Sequence, residues 1–221
     1  MHFTIQNLLS IQASIKSKLL EVKEKNRIPK IIAVSKTFKI EHILPLINYG
    51  HTDFGENKVQ EAVEKWTDIK KDFNNIKLHF VGKLQSNKVK YALPLFDYIH
   101  SLDSIKLAEK IANEQQKKKF KPKIFIQVNI GREVQKSGIE IENLEKFYSE
   151  CKKNYDLNII GLMCLPPNEK NPNEYFSQMQ ILKNKLNLND LSMGMTNDYI
   201  EALNYEATFV RIGSKIFGER G

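Results

Sequence analysis

The run Lys30-Ile31-Ile32-Ala33-Val34-Ser35-Lys36-Thr37 sets a lysine at the end of a β-branched, apolar stretch. With a side-chain period of two, Ile32, Val34 and Lys36 share one face of a strand, so the ammonium ends a row that otherwise reads as core. An amine held there is partly desolvated. Loss of solvent disfavours the charged form and frees the amine to attack a carbonyl, as a Schiff-base lysine does. Taken alone, a strand-end lysine reaching back to water explains the residue better, and a reactive role needs further groups. They stand late in the chain. Leu191-Ser192-Met193-Gly194-Met195-Thr196 supplies a hydroxyl and a glycine, and Arg211-Ile212-Gly213-Ser214 another glycine and hydroxyl. Backbone N–H groups at Gly213 and Ser214 suit a phosphate, and a phosphate cup facing Lys36 implies a phosphorylated aldehyde.

The elements that must position these groups repeat a strand-helix unit. Leu8, Ile11, Ile15, Leu19 and Val22 recur at helical spacing and predict an N-terminal helix over Thr4 to Lys25, ended by Pro29. After the Lys36 strand come a helix from Ile40 to Tyr49, a strand from Thr52 to Asn57 and a long helix to Trp66. A third strand, Lys77 to Gly82, is followed by a helix toward Phe96. Strands at Tyr98–Leu102, Lys123–Asn129, Asn158–Leu165, Leu191–Met193 and Thr208–Gly213 then alternate with helices at Ser104–Lys118, Ile141–Lys153, Asn173–Leu186 and Asp198–Leu203. Eight nearly unbroken apolar strands between helices predict an α/β fold, a (β/α)8 TIM barrel with an extra N-terminal helix, forming a single domain over residues 1–221. A doubly wound open sheet would need a glycine fingerprint after its first strand, and Ser35-Lys36-Thr37 is not one. In a barrel the site lies at the C-terminal strand ends. Those ends carry Lys36, Glu56, Asn57, Gln85, His100, Ser101, Gln127, Asn129, Ser192 and Arg211, a polar ring expected over an apolar barrel.

Composition narrows the partners. The net charge of +8 is spread along the chain, and the one basic block, Lys117 to Lys123, reads as a solvated loop. No nucleic-acid partner is therefore expected, while anionic small molecules suit the charge. Two cysteines, Cys151 and Cys164, lack CxxC spacing and fit a reducing compartment. The N-terminus has no secretory pattern and no run approaches a membrane span, so a cytoplasmic protein away from membranes is expected.

The ordered series Ala33-Val34-Ser35-Lys36-Thr37, Phe54-Gly55-Glu56-Asn57-Lys58-Val59-Gln60-Glu61 and His79-Phe80-Val81-Gly82-Lys83-Leu84-Gln85-Ser86-Asn87-Lys88 resembles the pyridoxal phosphate homeostasis protein family. The likeness continues through Val128-Asn129-Ile130, Glu133, Lys136-Ser137-Gly138, Gly161-Leu162-Met163, the stretch from Leu191 to Met195, and Val210 to Gly213 with Ile216-Phe217-Gly218. The resemblance implies a barrel like the alanine racemase N-terminal domain, with pyridoxal 5'-phosphate (PLP) held as a Schiff base on Lys36. It further implies Ser192, Gly213 and Ser214 at the phosphate, Arg211 facing the pyridine nitrogen, and Asn57 and Met163 lining the pocket. No metal and no catalytic residue are implied. Three positions depart from the pattern: Thr196 where serine is common, Glu206 in place of a glycine, and Phe38 in place of a lysine beside the site. Lys39, Lys83 and Lys136 remain as lysines at the mouth.

Two functions compete. A binder would hold PLP for vitamin B6 homeostasis and deliver it to apo PLP-dependent enzymes without turnover. An amino-acid racemase or decarboxylase would use the same lysine, but racemases of this fold take a tyrosine from a second domain, and this sequence stops at Gly221, directly after strand eight and its turn. The binder, as a monomer, is the expectation. A cofactor-free aldolase would explain Lys36 and the cup but leave Arg211 without a role.

Overall fold

The computed structural model describes residues 1–22, 28–133, 135–167 and 171–219. The chain opens with α1 (Phe3–Glu21), whose Leu8, Ile11 and Ile15 are buried. The predicted extension of this helix to Lys25 falls on residues outside the described ones. Then come β1 (Lys30–Val34), α2 (Ile40–Tyr49), β2 (Asp53–Glu56), α3 (Val59–Trp66), α4 (Ile69–Asp72), β3 (Lys77–Phe80), α5 (Val89–Ala92), β4 (Tyr98–Leu102) and α6 (Ile105–Lys118). The chain continues through β5 (Lys123–Val128), α7 (Leu144–Asn154), β6 (Asn158–Cys164), α8 (Pro172–Lys185), β7 (Asp190–Met195), α9 (Tyr199–Ala202), β8 (Phe209–Ile212) and α10 (Ser214–Phe217).

The eight strands are parallel and close into a barrel in chain order, with β1 pairing β8 through Lys30 to Phe209 and Ile32 to Arg211. Closure removes both sheet edges, and the alternation of each strand sends one set of side chains to the helices and the other inward. Outward-facing Phe54, Leu78, Ile124, Ile126 and Leu191 pack under the helices in one continuous core. Inside, Ile32, Val34, Tyr98, Phe125, Met163 and Phe209 form a second, smaller cluster.

Local chemistry fixes several boundaries. Ser104 caps α6 through the Leu107 N–H, and Gly50 ends α2 in the left-handed region at φ 98°. Gly194 is held at φ +88°, and a Cβ there would lie 2.9 Å from both Ala202 and Tyr199, so its bare backbone lets α9 close onto β7. The glycine expected in the phosphate cup thus serves packing. Glu206, noted as replacing a glycine, adopts φ 60°, and its carboxylate pairs with Lys183.

Two expectations are corrected. The first strand ends at Val34, so Lys36 stands in the following turn and not on the strand. The interior is not purely apolar either, because Asp53, His79, His100, Ser192 and Arg211 are buried in it.

Candidate active-site cavity

A cavity of about 700 Å³ opens at the C-terminal ends of the strands. Lys36 and Phe38 from the turn after β1, Thr196 after β7, and Arg211, Gly213 and Ser214 from β8 and the start of α10 line it. First and last strands are neighbours in the closed barrel, which brings Lys36 and Arg211 to one space.

The turn carrying Lys36 is clamped from below. Glu56, fully buried at the end of β2, accepts through Oε1 from Ser35 Oγ at 2.7 Å, Lys65 Nζ at 3.0 Å and Trp66 Nε1 at 3.0 Å. Lys65 also donates to the Ser35 carbonyl at 3.0 Å, and Glu61 accepts the Thr37 N–H at 2.6 Å. Burial pushes the Glu61 carboxyl up, but the Thr37 N–H and Lys65 outweigh it and hold its pKa below the usual range. Thr37 sits at φ 69°, a region non-glycine residues seldom adopt, and these contacts from α3 hold the strained turn with Lys36 half-buried at the cavity. Phe38, at the position expected to lack a second lysine, stacks on Phe217 with ring centroids 5.0 Å apart and closes one wall.

Arg211 is 5% exposed, donating from Nη1 to Ser192 Oγ at 2.7 Å and from Nη2 to the Cys164 carbonyl at 2.8 Å. Both acceptors are neutral, and among the described residues no carboxylate pairs with it in a salt bridge. Burial pushes its pKa down, partly offset by Cys164 and Asp198. A buried cation beside a cavity, held by neutral acceptors, is complementary to an anionic or lone-pair group in that cavity.

Ser192 does not join a phosphate cup. Its Oγ is fully buried and engaged by Arg211 and by His100 Nδ1 at 2.8 Å, because Ser192 is on the strand body, facing the barrel interior. The hydroxyl after β7 that does line the cavity belongs to Thr196, whose Oγ1 lies 3.4 Å from the Gly213 N–H as its acceptor. Asp198 shapes that turn by accepting the Met195 N–H at 2.6 Å. Met163, 1% exposed, is part of the interior cluster, whose Val34 reaches the cavity from below. Asn57 stands apart from the lining, beneath Gly82, where a Cβ would come within 2.2 Å of the Asn57 carbonyl.

Of the three mouth lysines, Lys39 and Lys83 are exposed. Lys136 is half-buried, with Nζ 2.5 Å from Glu133 Oε2, and lines a second cavity of about 280 Å³ that shares Val81 and Leu165 with the first.

Residues 12–221 match the family described as alanine racemase, N-terminal domain. The pyridoxal phosphate homeostasis protein of Pasteurella multocida is 37% identical over 226 residues, covering 97% of each chain. Its namesake in Aquifex aeolicus is 38% identical over 200 residues, 86% of this chain and 87% of that protein. The chain belongs to the pyridoxal phosphate homeostasis protein family. A solved structure of PipY from Synechococcus elongatus PCC7942, with PLP bound, superposes with a TM-score of 0.79 at 31% identity, over 92% of this chain and all of that one.

Proposed function

We propose that the cavity binds pyridoxal 5'-phosphate, held as a Schiff base on Lys36, and that the chain serves vitamin B6 homeostasis by holding and delivering this cofactor without turning over a substrate. One observation carries the reading: two cations, Lys36 and Arg211, line one cavity with Gly213, Ser214 and Thr196, on a chain similar to PLP homeostasis proteins and to PipY with PLP bound. Space and charge fit the group. Lys36 supplies the amine, Thr196 with the backbone of Gly213 and Ser214 receives the phosphate, and Arg211 faces the ring nitrogen, oriented by Ser192 from beneath. Met163 supports the floor, and Asn57 braces the neighbouring loop.

When bound, PLP supplies an electron sink, and a fixed guanidinium beside its ring nitrogen weakens that sink by opposing protonation. Among the described lining residues, the only side chains with ionisable groups are Lys36, Asp198, Glu201 and Arg211, and none is a tyrosine or histidine of the kind two-base racemisation employs. The reading takes the chain as a monomer of one domain, its eight strands closing into a single barrel. The free, buried Cys151 and Cys164, whose thiols burial pushes up to about 12, suit a reducing cytoplasm. Delivery to apo-enzymes is supported by Lys136 in the adjoining cavity, where a second amine can receive the cofactor on its way out.

The test is borohydride reduction of the PLP-loaded protein followed by peptide mapping, expected to place the phosphopyridoxyl group on Lys36. Mixing loaded protein with an apo PLP enzyme, in the presence of a trap for free PLP, is expected to show transfer that Lys136→Ala alters. Turnover of an amino acid at about 1 per second or faster would overturn the binder in favour of an enzyme.

A further inference from the structure

Five strands contribute one polar side chain each to the barrel interior, and the five form an unbroken chain. Asp53 Oδ1 lies 3.0 Å from His79 Nε2, His79 Nδ1 lies 3.0 Å from His100 Nε2, and His100 Nδ1 lies 2.8 Å from Ser192 Oγ, which meets Arg211 Nη1 at 2.7 Å. Aromatic walls keep water from it. His79 stacks on Tyr98 at 4.2 Å and His100 on Phe125 at 4.3 Å, with Phe209 against both rings.

The donor and acceptor inventory gives the chain one sense. An ionised Asp53 only accepts, so His79 carries its proton on Nε2 and presents a bare Nδ1. His100 must then donate from Nε2 and present its own Nδ1, to which the Ser192 hydroxyl donates, leaving the serine lone pair for Arg211. Every contact holds one proton, provided both rings are neutral. Burial pushes both ring pKa values down, opposed at His79 by Asp53.

We infer that Asp53, His79 and His100 are positioning residues for Arg211, acting through Ser192 as a one-way hydrogen-bond chain that runs from the opposite mouth of the barrel and fixes the guanidinium under the cavity. The anchor is firm: burial raises the Asp53 pKa, but His79, Thr52 and Lys30 outweigh it and hold the carboxyl at about 2. Nζ of Lys30 stands 3.7 Å from Asp53 Oδ1, at the N-terminal end of β1. Only the role of Arg211 toward a ligand rests on the PLP reading; the chain itself belongs to the protein without ligand.

Long-range ¹H–¹⁵N correlation spectra of the ligand-free protein at neutral pH test this directly. Both His79 and His100 are expected as the Nε2–H tautomer, with slowly exchanging Nη–H signals from Arg211. His100→Phe should abolish those Arg211 signals and weaken PLP binding roughly tenfold. His100→Gln should restore both, because its amide oxygen accepts from Ser192 while its NH₂ donates to His79. Should His100→Phe not fold, Ser192→Ala cuts the last link without replacing either ring and is expected to release the Arg211 signals alike. A doubly protonated ring, an Nδ1–H tautomer at either histidine, or Arg211 signals indifferent to these variants would overturn the inference. If the tautomers and Arg211 signals behave as expected but wild-type protein fails to take up PLP, the chain stands and the cofactor reading falls.

Discussion

Lys36 and Thr196 on turns and Ser214 at the start of α10 stand at the barrel rim, half-buried or exposed, whereas His79, His100 and Ser192 stand on strand bodies and expose 0% of their surface. The rim groups line the cavity, and on the proposed reading their chemistry is directed at a ligand. The interior groups have their hydrogen bonds filled by one another, so their chemistry is directed at the fold and at Arg211. Substitutions should therefore separate: rim changes cost binding and spare stability, while interior changes cost stability first. Arg211 alone belongs to both regions.

The largest effect tests the rim. Lys36→Ala should abolish covalent PLP attachment, read as loss of the borohydride-reducible visible band, with a nearly unchanged thermal midpoint. A retained band would move the anchor to another lysine. Next is the support under the rim. Glu56→Ala removes the buried acceptor shared by Ser35, Lys65 and Trp66 while Lys65 keeps Glu61 at 3.0 Å, so the cost comes from buried donors left unpaired, about 1–3 kcal/mol each, measurable by denaturant unfolding. A loss below about 1 kcal/mol, typical of surface pairs, would mean that water replaces Glu56 at Lys65.

A smaller effect separates two hydroxyls four residues apart. Thr196→Ala should weaken PLP about tenfold or more at unchanged stability, whereas Ser192→Ala should lower stability by about 1–3 kcal/mol through the unpaired groups it leaves on His100 and Arg211. Equal loss of stability in both variants would erase the distinction between rim and interior. The smallest effect is pH dependence. His79 and His100 are held below the ordinary value of 6.5, so as pH falls beneath that value the unfolded chain binds protons that the folded chain refuses, and stability declines. Thermal midpoints should drop from about pH 7 to about pH 5, and His100→Gln should flatten that slope.

Much of this arrangement is legible in the sequence, because strand alternation and the motifs around Lys36 and Arg211 are local. The eight strands follow from their apolar runs, and Lys36 from its place at the end of one. Choosing between Ser192 and Thr196 is harder. Both are hydroxyls near the end of β7, and only the register, with Ser192 opposite Phe209 and Met195 opposite Arg211, shows that the first is inside the barrel and the second beyond it. The chain from Asp53 to Arg211 leaves a weaker trace still. Each histidine reads alone as a polar residue on an apolar strand, and their contacts, 21 residues apart for the pair and 92 from His100 to Ser192, arise only on closure. The clamp on the Lys36 turn is hidden for the same reason, since Glu61 and Lys65 look like ordinary surface charges of a helix.

The seam between β1 and β8 gives the site a place in time. Its two cations come from the turn after the first strand and from the last strand, and Asn7 of α1 adds a tie by donating to the Ile216 carbonyl at 3.0 Å. Joining such distant stretches is entropically the most demanding step in forming the barrel. A folding intermediate with the seam open has a lysine on one side and a guanidinium on the other, with no pocket between them. A ligand that touches both acts as a clasp on the finished ring, so its capture during refolding should lag behind the recovery of helix and mark the moment when the circle of strands is complete.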